Sequence, residues 1–196
     1  FYNVRSGRRY SFTFADQASG SNRSNVFGTV GTNSRYLMYV PNVSSRTADP
    51  LVTYAANFDF AGFQNFVQNS SLNEFQGEIA PKNIETSPWF HDIDLRVSQE
   101  VPFVFGGKIE LIADVENVLN LINSDWGTLR QISGSVPLVN VRCLQTAGGT
   151  TAATLTQNCA QYEFSNRTGN TFTPPIENVQ LNASLWGVRF GVRVVF

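Results

Sequence analysis

Hydrophobic and polar positions alternate strictly in four stretches of the 196-residue chain, the pattern of strands with one apolar and one polar face. Tyr10, Phe12 and Phe14 share one face, with Ser11 and Thr13 on the other. Ile93, Leu95 and Val97 oppose Asp92, Asp94, Arg96 and Ser98. Ile109, Leu111, Ala113 and Val115 oppose Glu110, Ile112, Asp114 and Glu116. Near the end of the sequence, Trp186, Val188, Phe190, Val192, Val194 and Phe196 form one face. Leu185, Gly187, Arg189, Gly191, Arg193 and Val195 form the other. The pattern predicts four strands and an all-β chain.

The spacing between these strands is uneven. Residues 102–107 form a short turn, whereas residues 16–89 and 120–182 are long and rich in Gly, Asn, Ser and Thr. Connections in compact soluble domains are usually about 4–6 residues. The long segments carry some local signals of their own. Phe63, Phe66 and Val67 recur at helical spacing behind Asp59, a predicted N-cap, in residues 57–68. Ser71 and Glu74 have capping-box spacing for a second short helix. Residues 139–143 and 161–164 read as a small hairpin.

Short turns on one side and long loops on the other are the habit of transmembrane β-barrels. The strand lengths agree, since about 9–11 tilted residues cross a bilayer. Arg189 and Arg193 would be costly in lipid, which fixes the facing. Ile93, Leu95, Val97, Ile109, Leu111, Val115, Val188, Phe190 and Val192 are therefore expected to face lipid, and the polar faces a lumen. Trp89, Trp126 and Trp186 fall near strand ends, where an aromatic girdle sits at the membrane interface. A soluble β-sandwich with one wet face produces the same alternation, so periodicity leaves both architectures open.

Composition narrows the functional classes. Charged residues make up 15%, against about 25% in an ordinary soluble domain. A net charge of −1 argues against nucleic acid as a partner. An apolar content of 42% is too high for a disordered chain. No apolar run approaches the roughly 18 residues of a membrane-spanning helix. The sequence starts at Phe1 rather than Met, the expectation for a processed chain or part of a longer one. A single histidine removes most nucleophilic triads, and no phosphate- or dinucleotide-binding motif is present. Neither an enzymatic activity nor a cofactor is expected. His91, Asp92 and Asp94 do not make a metal site, because His91 points away from the two carboxylates in an extended strand. Pairing of Asp94 or Glu116 with an arginine on the polar face is expected instead.

Several motifs, taken in order, carry a resemblance. Arg189, Gly191, Val194 and Phe196 resemble the C-terminal signal of bacterial outer-membrane barrels, which the barrel assembly machinery reads. Such a last strand must present an edge, an interfacial aromatic and a glycine where backbones come close. The run Asp94-Leu95-Arg96 followed by Asn117-Val118-Leu119-Asn120 resembles the penultimate strand pair of TonB-dependent outer-membrane transporters. Ser6-Gly7-Arg8-Arg9-Tyr10 resembles their recurrent Ser-Gly-Arg-Pro-Tyr, with Arg9 in place of Pro. Tyr36 to Pro41, Ile79 to Asn83 and Asp125-Trp126-Gly127 together resemble the Oar-like branch.

The resemblance implies an antiparallel transmembrane barrel segment, about the last four strands of a barrel of roughly 22. Residues 16–89 and 120–182 would be extracellular loops containing short helices and a hairpin. The plug domain and the TonB-binding box would lie outside this segment. The implied location is the bacterial outer membrane. The implied partners are the rest of the barrel and plug, the assembly machinery, TonB, outer-membrane lipid and an unidentified scarce solute taken up by the whole transporter. In that oxidising setting Cys143 and Cys159 are expected to form a disulfide. The alternative from another class is a secreted or surface β-rich binding or adhesion module.

Overall fold

The computed structural model describes residues 1–15, 36–102, 106–144 and 160–195. In chain order its strands are β1 (Tyr2–Arg5), β2 (Arg9–Ala15), β3 (Tyr39–Val40), β4 (Val52–Tyr54), β5 (Glu78–Ile79), β6 (Glu85–Thr86), β7 (Phe90–Ile93), β8 (Leu95–Pro102), β9 (Lys108–Glu116), β10 (Arg130–Gln131), β11 (Ser135–Leu144), β12 (Gln161–Ser165), β13 (Asn178–Val179) and β14 (Gly187–Val195). Helices α1 (Phe60–Gln68) and α2 (Val118–Ile122) are short. The chain is mostly β, and it divides into two compact units.

The first unit comprises Phe1–Arg8, Ser87–Gln131 and Glu177–Phe196. Its main pairs, β1–β7, β8–β9 and β9–β14, are all antiparallel. Tyr2 lies opposite Ile93 and Val4 opposite His91 in the β1–β7 pair. Asp94 interrupts the second alternating stretch, so it forms β7 and β8 rather than one strand, and the Asp94 amide donates to the Phe1 carbonyl at 2.9 Å. β8 then pairs with β9 and β9 with β14 in uninterrupted register. The β14–β9–β8 sheet is open and does not close into a barrel.

The second unit comprises Arg9–Thr86 and Ile132–Ile176, drawn from both long segments. Its five strands run in the order β4-β12-β11-β2-β6. The predicted hairpin is present as β11–β12, with Val141 opposite Phe164. The other central pairings differ from the expected all-antiparallel arrangement: β11 is parallel to β2, and β12 is parallel to β4. Helix α1 lies within the predicted range, and Asp59 caps it by accepting from the Gly62 amide at 2.9 Å. The same carboxylate accepts from the Phe172 amide at 3.0 Å, and these two N–H groups hold its pKa below the usual value. The second helix is a 3-10 turn, Ser71–Phe75, capped by Ser70 rather than Ser71. The Ser71 hydroxyl instead donates to Glu85 at 2.6 Å.

The stretch Tyr10–Phe14 therefore does not behave as a wall strand. All five residues are buried, Ser11 and Thr13 included. Ser11 Oγ accepts from the Asn83 amide at 2.8 Å, and Thr13 Oγ1 lies 3.1 Å from Ser135 Oγ. These bonds meet the polar demand that lets both faces of β2 be covered. Phe12, Phe63, Phe164, Met38, Leu72 and Leu138 are almost wholly buried in this core. Phe14 meets Phe164 edge to face at 5.5 Å, and Phe63 meets Phe172 the same way at 5.5 Å. The two segments expected as separate loops thus build one core between them. In the first unit, the short strand β1 alternates Tyr2 and Val4 with Asn3 and Arg5.

Candidate functional site: a sheet with one apolar and one ion-paired face

The alternation of β8, β9 and β14 is brought into register across the sheet. Leu95, Val115 and Val188 form one row, Val97, Ala113 and Phe190 the next, then Gln99, Leu111 and Val192, then Val101, Ile109 and Val194. All twelve side chains fall on one face, because the register is even throughout. Eight of the nine residues expected to face lipid lie here; Ile93 sits in β7 opposite Tyr2. The face has no covering layer among the described residues. Phe190 is 83% exposed and Val192 67%. Monomeric soluble proteins rarely leave a contiguous apolar patch of this kind in water.

The opposite face carries the charges. Arg96 Nε lies 3.3 Å from its cross-strand neighbour Asp114. Arg193 lies 3.7 Å from Glu110, its direct neighbour on β9. Arg189 pairs diagonally with Glu116. Glu100 and Glu110 stand directly opposite each other, a repulsive arrangement. Lys108, 3.2 Å from Glu100, and Arg193 offset it. Glu116 therefore has the expected arginine partner, whereas Asp94 accepts from the Asn117 amide at 3.0 Å. The ion pairs are solvent-exposed, so each contributes at most about 1 kcal/mol to stability. Together they set which face tolerates water.

One end of the sheet is tied by Asn117, which sequence reasoning passed over except as part of a motif. Asn117 adopts a left-handed conformation (φ 51°), one that asparagine tolerates better than most residues. Its buried Nδ2 donates to the Gly127 carbonyl at 2.9 Å and the Ser184 carbonyl at 2.7 Å. Its Oδ1 accepts from the Asn120 amide at 3.3 Å. Asn120 Nδ2 donates in turn to the Ser124 and Trp126 carbonyls, at 2.9 and 3.0 Å. The end of β9, the approach to β14 and the Asp125-Trp126-Gly127 turn are thereby joined. Gly127 has φ 59°, and a Cβ there would overlap the Asn117 side chain.

Trp89 precedes β7, Trp186 precedes β14, and Trp126 follows β9. By register all three attach to this same end, and all three are exposed. Trp89 and Trp126 line a shared recess with His91, Asp125, Thr128 and Arg130. Of the C-terminal motif, Arg189 lies on the ion-paired face and Val194 on the apolar one, while Phe196 lies outside the described residues. A Cβ on Gly191 would meet Ile112 Cβ at 3.7 Å, an ordinary contact. The β9–β14 approach therefore does not by itself demand a glycine there.

No family model, curated protein or solved structure matches this chain. Among the described residues no group of three or more His, Cys, Asp and Glu is arranged to hold a metal ion. No helix among them is long and apolar enough to cross a membrane. Cys143, buried in β11, is disulfide-bonded. The other cysteine of the chain, Cys159, lies outside the described residues.

Proposed function

We propose that the first unit is a lipid-facing wall segment of an Oar-like TonB-dependent outer-membrane transporter. One observation carries the reading: three antiparallel strands present a face on which eleven of twelve side chains are apolar, Gln99 excepted, and, back to back with it, an ion-paired face. Strands β9 and β14 are nine residues each, at the lower edge of the 9–11 that cross a bilayer when tilted. The apolar side meets lipid and the charged side a water-filled lumen, as in outer-membrane barrels. The free edges of β8 and β14 pair with neighbouring strands of the complete barrel, because hydrocarbon does not tolerate open edges. The assembly machinery inserts the strands. The plug, the TonB contact and the solute-selective surface belong to the remainder of the transporter, which takes up a scarce solute.

The chain leaves β1 and returns to β7, and leaves β9 and returns to β14, at the end marked by the three tryptophans. In this reading that end is extracellular, and the second unit is a folded surface domain. Its own buried core is also the observation that favours the alternative, a surface β-rich binding module. The two separate on extraction of the native protein from membranes. The transporter reading expects it in the outer-membrane fraction, released only by detergent, with an intact mass several times 21.7 kDa. A native protein that is soluble without detergent at about that mass would overturn it.

A further inference from the structure

We infer that the recess between Trp89 and Trp126 is a binding site for a pyranose ring. The recess encloses about 340 Å³, near the lower end of ligand-pocket sizes and ample for one sugar. Trp89 is 63% and Trp126 52% exposed, so two large aromatic surfaces face water at one place. Tryptophan gains most when its ring is covered and its edge stays wet. A sugar ring fits that demand, because its axial C–H groups make one apolar face while its hydroxyls project around the rim.

The rim is equipped for hydroxyls. The Asp125 carboxylate has no hydrogen-bond or ion-pair partner among the described residues, leaving two acceptor oxygens. His91 Nδ1 is engaged by the Tyr2 hydroxyl at 2.8 Å, which leaves Nε2. The Arg130 Nε donates to Thr128 Oγ1 at 3.3 Å, and its Nη1 lies 3.9 Å from Glu177. Glu177 thus offsets much of the arginine charge, and with Asp125 beside it the recess is poor for phosphate. A neutral polyol suits it better.

The site is also built in advance. Thr128 Oγ1 donates to the Asp125 carbonyl at 3.1 Å, and the Trp126 amide to the Asn123 carbonyl at 2.9 Å. The Asn117 and Asn120 side chains hold the Gly127 and Trp126 carbonyls. Little ordering is left for a ligand to impose, which favours affinity. His91 and Ile93 share one face of β7, and Trp89 immediately precedes the strand. If the transporter reading holds, the sugar comes from an outer-leaflet glycolipid; without it, from a soluble saccharide.

The test titrates the detergent-purified native protein with methyl glucoside and N-acetylglucosamine, following tryptophan fluorescence. A second arm places it in phosphatidylcholine vesicles with or without a glucosyl diacylglycerol. Saturable quenching by a free sugar, or by the glycolipid vesicles alone, supports the site and identifies the source. Trp126→Ala should weaken binding about tenfold, with Trp126→Phe retaining part of it, and Asp125→Asn severalfold. Unfolding temperature controls for folding of each variant. No saturable signal in either arm, or binding undiminished in a folded Trp89→Ala/Trp126→Ala variant, would overturn the inference. Sugar binding by a detergent-free soluble protein would keep this site and remove the transporter reading.

Discussion

Single residues carry much of the constraint. A Cβ on Gly7 would overlap the carbonyl oxygens of Ser87 and Pro88, so the backbone crossing there admits no side chain. Gly7→Ala should destabilise the first unit by about 1–3 kcal/mol through forced backbone displacement, read as a lower unfolding temperature. This is a physical ground for the glycine in the Ser-Gly-Arg motif, and no local pattern announces it, because Ser87 is remote in sequence. Tyr39 gives a pH signature. Burial first, then the charge and hydrogen bond of Asp49, 3.1 Å away, push its pKa up to about 12. The folded state therefore keeps a proton that the unfolded chain releases near pH 10. Stability of the second unit is full below that pH and falls as pH rises from about 10 to about 12. Tyr54 is raised too, chiefly by burial. Denaturant midpoints across this range should drop steeply for the parent and less steeply for Tyr39→Phe.

Elements show which sequence signals survive folding. The alternation in β8, β9 and β14 translated directly into two chemical faces, because neighbouring strands of like period stack without conflict. The same alternation in Tyr10–Phe14 misled, since Ser11 and Thr13 found polar partners more than seventy positions away and could be buried. Alternation reports side-chain polarity, not what will cover it. Strand β1 escaped the pattern reading, because four residues are too few for Tyr2 and Val4 to establish an alternation. Facing is open to experiment. Val192 lies opposite Leu111 in mid-strand, so Val192→Arg should cost about 2–4 kcal/mol in a bilayer. Arg193→Val loses an exposed pair with Glu110, worth under about 1 kcal/mol. Folded yield in lipid should fall for the first variant and hold for the second; equal yields would contradict the facing. The recess by Trp126 was not legible at all, since its parts come from β7 and from the turn after α2.

At the scale of the whole molecule, two units of different construction are threaded through each other in sequence. The core of the second unit is a cluster of packed aromatics, while the apolar surface of the first is turned outward. Their stabilities should answer to different agents. Detergent exchange should move the unfolding of the first unit alone. Reductant should move that of the second, where Cys143 lies, by about 3 kcal/mol for a bridge closing some 15 residues. Two calorimetric transitions with these separate sensitivities are expected, and a single transition moved by both agents would contradict the division.

The parallel pairing of β2 with β11 reaches further than stability. Phe12 sits beside Val136, and β11 is flanked by a strand from each of two insertions that are far apart along the chain. Exchanging either insertion alone would strip the sheet of its centre or of its edge. The two must be inherited, or grafted, as one cassette. During synthesis β2 can pair early with β6, but its other edge must wait until β11 leaves the ribosome, and such long-range closure slows folding.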